Sequence, residues 1–175
     1  MRRLLILGGA RSGKSLLALA LAERRWRCPV YVATAEILDR EMAARVRRHR
    51  RARGSRWRSV EEPLEIARLI RRGVPHADGI LVDCLTLWLS NVLLKEGRRA
   101  CARRRKELVA SLRQARQDVI LVANEVGLGV VPEHELGRTF RDLAGELNQA
   151  VAAQADTVLF VAAGLPLALK GRWPE

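Results

Sequence analysis

The stretch GGARSGKS, residues 8–15, decides the fold of this chain. It follows a short apolar run at residues 4–7 and precedes a long amphipathic segment that begins LLALALAERR. The pattern G-x-x-x-x-G-K-S between a strand and a helix is that of a phosphate-binding loop, or P-loop. Its glycines let backbone N–H groups surround phosphate oxygens, and the following helix adds the partial positive charge of its N-terminus. The stretch therefore predicts a nucleoside triphosphate site, with Lys14 on the β and γ phosphates and Ser15 on Mg²⁺.

Short runs rich in leucine, isoleucine and valine recur along the chain. They lie at residues 4–7, 30–33, 80–82, 119–123 and 157–162. Each is too short for a helix, and each but the last precedes a longer amphipathic stretch, the clearest of which predicts a helix over residues 137–155. Runs without alternation suit strands that are buried on both faces of a parallel sheet. We therefore predict one α/β domain over residues 1–175, a RecA-like P-loop fold whose mostly parallel sheet has at least five strands and helices on both faces.

The net charge is +13, from 32 basic and 19 acidic residues. Two clusters carry much of it: residues 40–58 hold nine arginines and one acid, and residues 98–106 hold six basic residues and no acid. Such clusters bind nucleic acids or phosphate ligands. Aromatic residues, however, make up only 4% of the chain, which leaves few side chains for bases to stack on. Because nearly all the cations are arginines, a codon bias toward arginine could produce much of the excess, and we expect no nucleic-acid partner.

Cysteine usage and hydropathy indicate a compartment. Cys28, Cys84 and Cys101 are odd in number and form no CxxC pair, so neither a disulfide framework nor a zinc site is indicated. No stretch approaches the roughly 18 apolar residues of a membrane span. The apolar run near the start ends after four residues, too soon for a signal peptide. We expect a cytoplasmic protein without a membrane span.

One of the three histidines lies inside the first arginine cluster, in RRHRRARGSRW, residues 47–57. Apolar residues spaced by four before it predict a helix over residues 38–51. At about 100° per residue, His49 falls on the apolar face of that helix, while the arginines beside it face solvent or a cleft. A histidine in this place is either a satisfied structural residue or a nucleophile among phosphate-binding arginines.

Polar residues also follow two later strands. Asp83 ends the run GILVD and either holds Mg²⁺ or its water shell, or caps the next helix. Asn124 and Glu125 follow the fourth run and begin NEVGLGVVPE. Ligands of open parallel sheets bind beyond the carboxyl ends of the strands, so these residues are expected at the same crevice as the P-loop. For Glu125, a catalytic role and a structural role as a loop cap both remain open.

Several motifs, in their order and spacing, resemble those of one family. They are GGARSGKS, YVATAEILDREMAARVRRHRRARGSRWRSVEEP, ILVDCLTLWLSN, NEVGLGVVPE, GRTFRDLAGELNQ and AAGLPLALK. Over roughly residues 3–171 the chain resembles the bifunctional adenosylcobinamide kinase / adenosylcobinamide-phosphate guanylyltransferase family of cobalamin biosynthesis. The resemblance implies two reactions. A kinase transfers the γ-phosphoryl group of ATP or GTP to adenosylcobinamide, and a transferase then adds GMP from GTP to that phosphate and releases pyrophosphate.

The resemblance also implies residue roles. The family uses a histidine that becomes guanylylated; by the motif this is His49, preceded here by Arg48 where some members have a second histidine. Lys14 is the second catalytic residue. The nucleotide-binding residues that the resemblance implies are Gly8, Gly9, Ala10, Arg11, Ser12, Gly13, Lys14, Ser15, Ala33, Thr34, Ala35, Arg50, Arg51, Ala52, Arg53, Glu61 and Asp83. Substrates would be GTP, ATP and the corrinoid, with Mg²⁺ as cofactor, and the assembly a homotrimer.

Chemistry leaves some of these roles open. A carboxylate at Glu61 or Asp83 can accept hydrogen bonds from guanine and so reject adenine, but Mg²⁺ is a competing partner for Asp83. His76 and His134 are expected in surface loops, away from catalysis. Two other functions compete with the bifunctional enzyme: a RecA-like ATPase that depends on nucleic acid, and a small-molecule kinase without guanylyl transfer.

Overall fold

The computed structural model describes residues 2–36 and 54–173. Its strands are β1 (Arg3–Gly8), β2 (Pro29–Ala33), β3 (Arg58–Glu61), β4 (Gly79–Asp83), β5 (Asp118–Asn124), β6 (Thr157–Ala162) and β7 (Leu165–Lys170). Its helices are α1 (Lys14–Arg25), α2 (Ile66–Arg72), α3 (Leu85–Glu96), α4 (Arg98–Gln114) and α5 (Glu135–Gln154). The helix expected over residues 38–51 lies outside the described residues.

The strands form one sheet in the order β3–β2–β4–β5–β1–β6–β7. All neighbours pair in parallel except β6 and β7, which are antiparallel. The five expected strands are all present, and α5 begins two residues before the predicted start of its helix. The prediction of a mostly parallel α/β sheet is therefore confirmed. None of the helices described is long and apolar enough to cross a membrane.

Two edge strands are additional to those expected from sequence. β3, with the sequence RSVE, is short and mostly exposed, so it has no apolar run to reveal it. β7, with the sequence LPLALK, is mostly exposed and follows a turn in which Ala163 and Gly164 both have positive φ, at 51° and 81°. Edge strands bury less surface than central strands, and their sequences show weaker patterns for that reason.

Side chains of β1 alternate between two apolar layers, which explains its unbroken apolar sequence. Leu5 and Leu7 pack with α2, α3, α4 and α5, whereas Leu4 and Ile6 pack with α1 on the opposite face. Leu4, Leu5 and Ile6 are all 0% exposed. At roughly 1.5–3 kcal/mol for each fully buried large apolar side chain, these two layers hold β1 at the centre of the sheet.

Strand order also determines how far the polar residues lie from the P-loop. β5 separates β1 from β4, and Gly8 pairs with Asn124 while Asp83 pairs with Val122. Asp83 is thus two strand spacings across the sheet and two residues along the strand from Gly8, roughly 12 Å in all. Ala33 of β2 pairs with both Asp83 and Glu61, so Glu61 is two spacings farther away.

Candidate nucleotide site

The P-loop is held on two sides by backbone hydrogen bonds. The Gly8 carbonyl accepts from the Glu125 N–H at 3.1 Å, and the Ser12 carbonyl accepts from the Gly164 N–H at 2.9 Å. Gly13 precedes α1 with φ 95°, a conformation that favours glycine. The end of β5 and the β6–β7 turn therefore support the loop where it enters α1.

Two side chains of the loop are directed inward. The Lys14 ammonium donates to the Gly9 carbonyl at 2.9 Å, and Lys14 is 7% exposed. The Ser12 hydroxyl is buried and has no hydrogen-bond partner within the described part of the chain. A buried hydroxyl without a partner costs about 1–3 kcal/mol, and an incoming phosphate oxygen would satisfy it. The loop therefore fits an oxyanion.

A second group of contacts surrounds the end of β4. Asp83 is partly exposed, and its Oδ2 accepts a hydrogen bond from the Tyr31 hydroxyl at 3.0 Å. The Thr34 hydroxyl donates to the Cys84 carbonyl at 2.7 Å and accepts from the Cys84 N–H at 2.8 Å. Asn91 in turn donates to the Thr34 carbonyl at 2.8 Å. These bonds tie the loops after β2 and β4 to α3.

Cys84, directly after Asp83, is unsuited to nucleophilic chemistry. It is 6% exposed. Burial, and then the nearby charge of Asp83, raises the pKa of its thiol to about 11. The thiolate is the nucleophilic form, so Cys84 stays a neutral thiol at neutral pH.

The end of β5 contributes a loop cap. Glu125 Oε1 accepts from the Gly127 N–H at 2.8 Å. The Asn124 N–H donates to the Thr86 hydroxyl at 2.7 Å, and the Asn124 carbonyl accepts from Asn148 at 3.3 Å. Two roles were left open for Glu125, and its hydrogen bond with Gly127 is the contact that a loop cap requires.

The chain is similar to known proteins over nearly its whole length. Residues 4–169 match the profile of the family described as cobinamide kinase / cobinamide phosphate guanyltransferase. The chain belongs to this family. It is 47% identical over 167 residues to the bifunctional adenosylcobalamin biosynthesis protein CobP of Pseudomonas aeruginosa, covering 95% of this chain and 96% of that protein. It is 38% identical over 180 residues to the Escherichia coli protein of the same description, CobU, covering 95% and 99%.

Solved structures show the same fold at low sequence identity. The RadB recombinase has a TM-score of 0.53 at 16% identity, covering 99% of this chain and 83% of its own. An ATPase of a type III secretion system has a TM-score of 0.54 at 13% identity, covering 95% of this chain and 56% of its own. These similarities establish a P-loop fold. Family membership makes the chain a bifunctional enzyme, a cobinamide kinase and cobinamide phosphate guanylyltransferase of adenosylcobalamin biosynthesis.

In this cobinamide kinase / guanylyltransferase, the described nucleotide-binding candidates lie at the carboxyl ends of the parallel strands. The P-loop follows β1, Ala33 and Asp83 end β2 and β4, and Glu61 ends β3. Thr34, expected at the nucleotide, is 0% exposed, and its hydroxyl is engaged with Cys84. His49 and the candidates Arg50, Arg51, Ala52 and Arg53 lie outside the described residues. Their roles remain predictions.

The remaining histidines lie on the surface, as expected. His76 is exposed in a turn with φ 58°, and His134 is exposed directly before α5.

Sequence reasoning missed several residues that hold the site together. They are Tyr31, Thr86, Asn91 and Gly164. Their partners lie tens of residues away in the chain, so no local pattern marks them. Only Tyr31 carried a signal, as a polar hydroxyl within a buried strand.

Carboxylates neutralise much of the basic run at residues 98–106. Arg103 pairs with Glu96 at 2.9 Å and with Glu107 at 3.1 Å, and Arg105 pairs with Glu146. Arg104, with a side chain 13% exposed, pairs with Glu65 at 2.6 Å and Glu96 at 2.7 Å. Three arginines of the run thus serve contacts between helices.

Proposed function

We propose that the chain carries out both family reactions at a single nucleotide site. In the first, it phosphorylates adenosylcobinamide with ATP or GTP. In the second, it transfers GMP from GTP to adenosylcobinamide phosphate through a guanylyl-His49 intermediate and releases pyrophosphate. The observation that carries this proposal is that the P-loop, Asp83 and Glu61 all lie at the carboxyl ends of strands of one sheet, in a chain that matches the family over residues 4–169.

For the kinase reaction, the P-loop supplies fixed donors to the phosphates. Its backbone N–H groups and the Ser12 hydroxyl surround the phosphate oxygens, and Lys14 exchanges the Gly9 carbonyl for the β and γ phosphates. These groups stabilise the charge that develops as the γ-phosphoryl group leaves for the hydroxyl of the corrinoid side chain.

Mg²⁺ has suitable ligands at the carboxyl ends of the strands. Ser15, the second residue of α1, and Asp83 offer the hydroxyl and carboxylate oxygens that this ion prefers. Asp83, roughly 12 Å from Gly8 at the start of the loop, is placed to reach the ion through water. When bound, the ion neutralises phosphate charge.

For the guanylyl transfer, the imidazole of His49 attacks the α-phosphorus of GTP. An N–P bond forms as the bond between the α-phosphorus and the bridging oxygen breaks, and pyrophosphate leaves. The phosphate of the corrinoid then displaces the imidazole and receives GMP. Arginines 50, 51 and 53 would stabilise charge on the phosphoryl oxygens. Glu61, the nucleotide candidate farther from the P-loop, suits the guanine N1–H and N2–H₂ groups, which leaves Asp83 for the metal.

We further propose a homotrimer in the cytoplasm. The edge strand β7 supports an interface between copies, because it exposes Leu165, Leu167 and Leu169 by 74%, 62% and 57%. Light scattering on the 19.6 kDa chain should give the mass of three copies. A monomeric mass at micromolar concentration would contradict the trimer.

The nucleophile is tested by labelling with GTP that carries a radioactive α-phosphate. With Mg²⁺ present, the protein should acquire a label that is lost in acid and stable in base. His49→Ala should abolish the label and retain kinase activity, while the control His76→Ala, at an exposed turn, should label as the wild type does. Undiminished labelling of His49→Ala would exclude His49 as the nucleophile. Loss of both activities with an intact fold would instead indicate that His49 is structural or is shared by both reactions.

A further inference from the structure

The hydroxyl of Tyr31, on the buried strand β2, donates a hydrogen bond to Asp83 at the end of β4. We propose that Tyr31 is a positioning residue, which holds the Asp83 carboxylate in the orientation needed to bind the nucleotide and its metal. This inference rests on the proposed function only in that it gives Asp83 a role at the nucleotide.

The register of the sheet creates the contact. Tyr31 of β2 pairs with Leu81 of β4, so Asp83 lies two residues farther along β4 on the same face of the sheet. Such a diagonal neighbour is within reach of an aromatic side chain. The hydroxyl spans this diagonal and donates to Oδ2 at 3.0 Å, while Tyr31 is 4% exposed. The donor to the Asp83 carboxylate is therefore a buried hydroxyl on the neighbouring strand.

The ring of Tyr31 is itself held from a second side. Trp57, 8% exposed, packs edge-to-face against it, with 6.2 Å between ring centroids and 82° between planes. The Trp57 indole N–H donates to Glu23 Oε1 at 2.8 Å, near the end of α1. The helix that begins at Lys14 therefore supports the side chain that supports Tyr31. Because both contacts restrict the ring, the hydroxyl approaches Asp83 from a fixed direction.

The hydrogen bond leaves one carboxylate oxygen available. Within residues 2–36 and 54–173, Oδ1 of Asp83 has no hydrogen-bond partner, and Asp83 is partly exposed at the edge of the sheet where the P-loop lies. Fixing Oδ2 removes rotational freedom that a ligand would otherwise have to restrict, which is how preorganisation increases affinity. Phenylalanine at position 31 would fill the same space and keep the contact with Trp57, so the hydroxyl is the group to test.

The experiment is a double-mutant cycle on the full-length protein. The dissociation constants of GTP and ATP are measured by calorimetry, with Mg²⁺ and without corrinoid, for the wild type, Tyr31→Phe, Asp83→Asn and the double variant. We expect Tyr31→Phe to weaken binding about three- to tenfold, which corresponds to the net contribution of one ordinary hydrogen bond. If Tyr31 acts through Asp83, adding Tyr31→Phe to Asp83→Asn should cause no further loss.

A matched control separates positioning from a general loss of structure. Ser111→Ala removes another buried hydroxyl, one that donates to the Leu108 carbonyl within α4, and it should leave both dissociation constants unchanged. Equal fold-losses from Tyr31→Phe in the wild-type and Asp83→Asn backgrounds would overturn the proposal, as would unchanged binding by Tyr31→Phe.

The outcomes also separate this proposal from the proposed function. Coupling between the two residues in a protein that never becomes guanylylated would contradict the two-step function alone. Additive effects in a protein that does become guanylylated would contradict the positioning role alone. A wild-type chain that binds neither nucleotide would overturn both.

Discussion

At the residue scale, the P-loop depends on positions where a side chain has no room. A Cβ atom on Gly8 would lie 2.4 Å from the Val161 carbonyl oxygen of the neighbouring strand and 2.7 Å from the Ser12 hydroxyl. Neither distance is tolerable, and the carbonyl belongs to the parallel pairing of β1 with β6. The motif's first glycine therefore serves the packing of β1 against β6, a role that the sequence pattern does not reveal.

We expect Gly8→Ala to lower the free energy of unfolding by about 1–3 kcal/mol, the usual cost of an added group in a packed site. Gly9→Ala is the control, because a Cβ there meets nothing within 4 Å. It should change stability by less than about 1 kcal/mol. Urea unfolding of the nucleotide-free proteins measures both. Equal stability of the two variants would show that the loop relaxes around the added methyl group.

At the element scale, the charged face of α4 connects three helices. Arg104 contacts Glu65, directly before α2, and Glu96 at the end of α3, while Glu107 of α4 lies 3.4 Å away. The hydrogen bond from Arg104 lowers the pKa of Glu96, and Glu96 in turn raises the pKa of the Arg104 guanidinium. A run that resembles a nucleic-acid patch in the sequence is thus in part a set of contacts between helices. The absence of a nucleic-acid partner stays a prediction.

Arg104→Ala should lower the free energy of unfolding by about 1–3 kcal/mol, because it removes a largely buried cation from two carboxylates that then repel each other. Arg103→Ala is a close control, since its side chain is 56% exposed although it also contacts Glu96. Exposed ion pairs contribute about 0–1 kcal/mol. Thermal or urea unfolding distinguishes the two. A smaller loss from Arg104→Ala than from Arg103→Ala would contradict this account of the cluster.

At the scale of the whole molecule, one ion pair joins distant parts of the chain. The Arg3 guanidinium donates to Asp156 Oδ1 at 2.7 Å, and the Arg3 backbone N–H donates to Asp156 Oδ2 at 2.9 Å. The pair lies where β1 begins and β6 is about to begin. These hydrogen bonds from Arg3 lower the pKa of Asp156 below its ordinary value of 3.8.

The lowered pKa of Asp156 determines how the free energy of unfolding depends on pH. A carboxyl group with a lowered pKa in the folded state stabilises the protein above pH 3.8, and the stabilisation is lost as pH falls toward the folded-state value. Asp156→Asn should therefore lower the free energy of unfolding at pH 7, by less than about 1 kcal/mol because the pair is partly exposed. The difference from wild type should shrink below pH 3.8. Urea unfolding across this range tests it, and a constant difference would contradict the assignment.

The sequence by itself determined the central architecture and the family. Unbroken apolar runs identified the five inner strands, because a strand buried on both faces needs apolar side chains at every position. The P-loop was readable because its backbone geometry and its ligand both require particular residues at short spacing. The edge strands β3 and β7 were not readable, since an exposed strand is held by backbone pairing to its neighbour rather than by its own side chains.

Only the tertiary structure decided how the site is held together. Strand order placed β5 between the P-loop and Asp83, and made Glu61 the more distant carboxylate. The contacts of Tyr31 with Asp83, Thr34 with Cys84, and Ser12 with Gly164 join residues 50 or more positions apart. Local sequence cannot encode such pairs visibly, because each partner is an ordinary residue in its own segment. The partners contact each other only because the folded structure brings the two segments within hydrogen-bond distance.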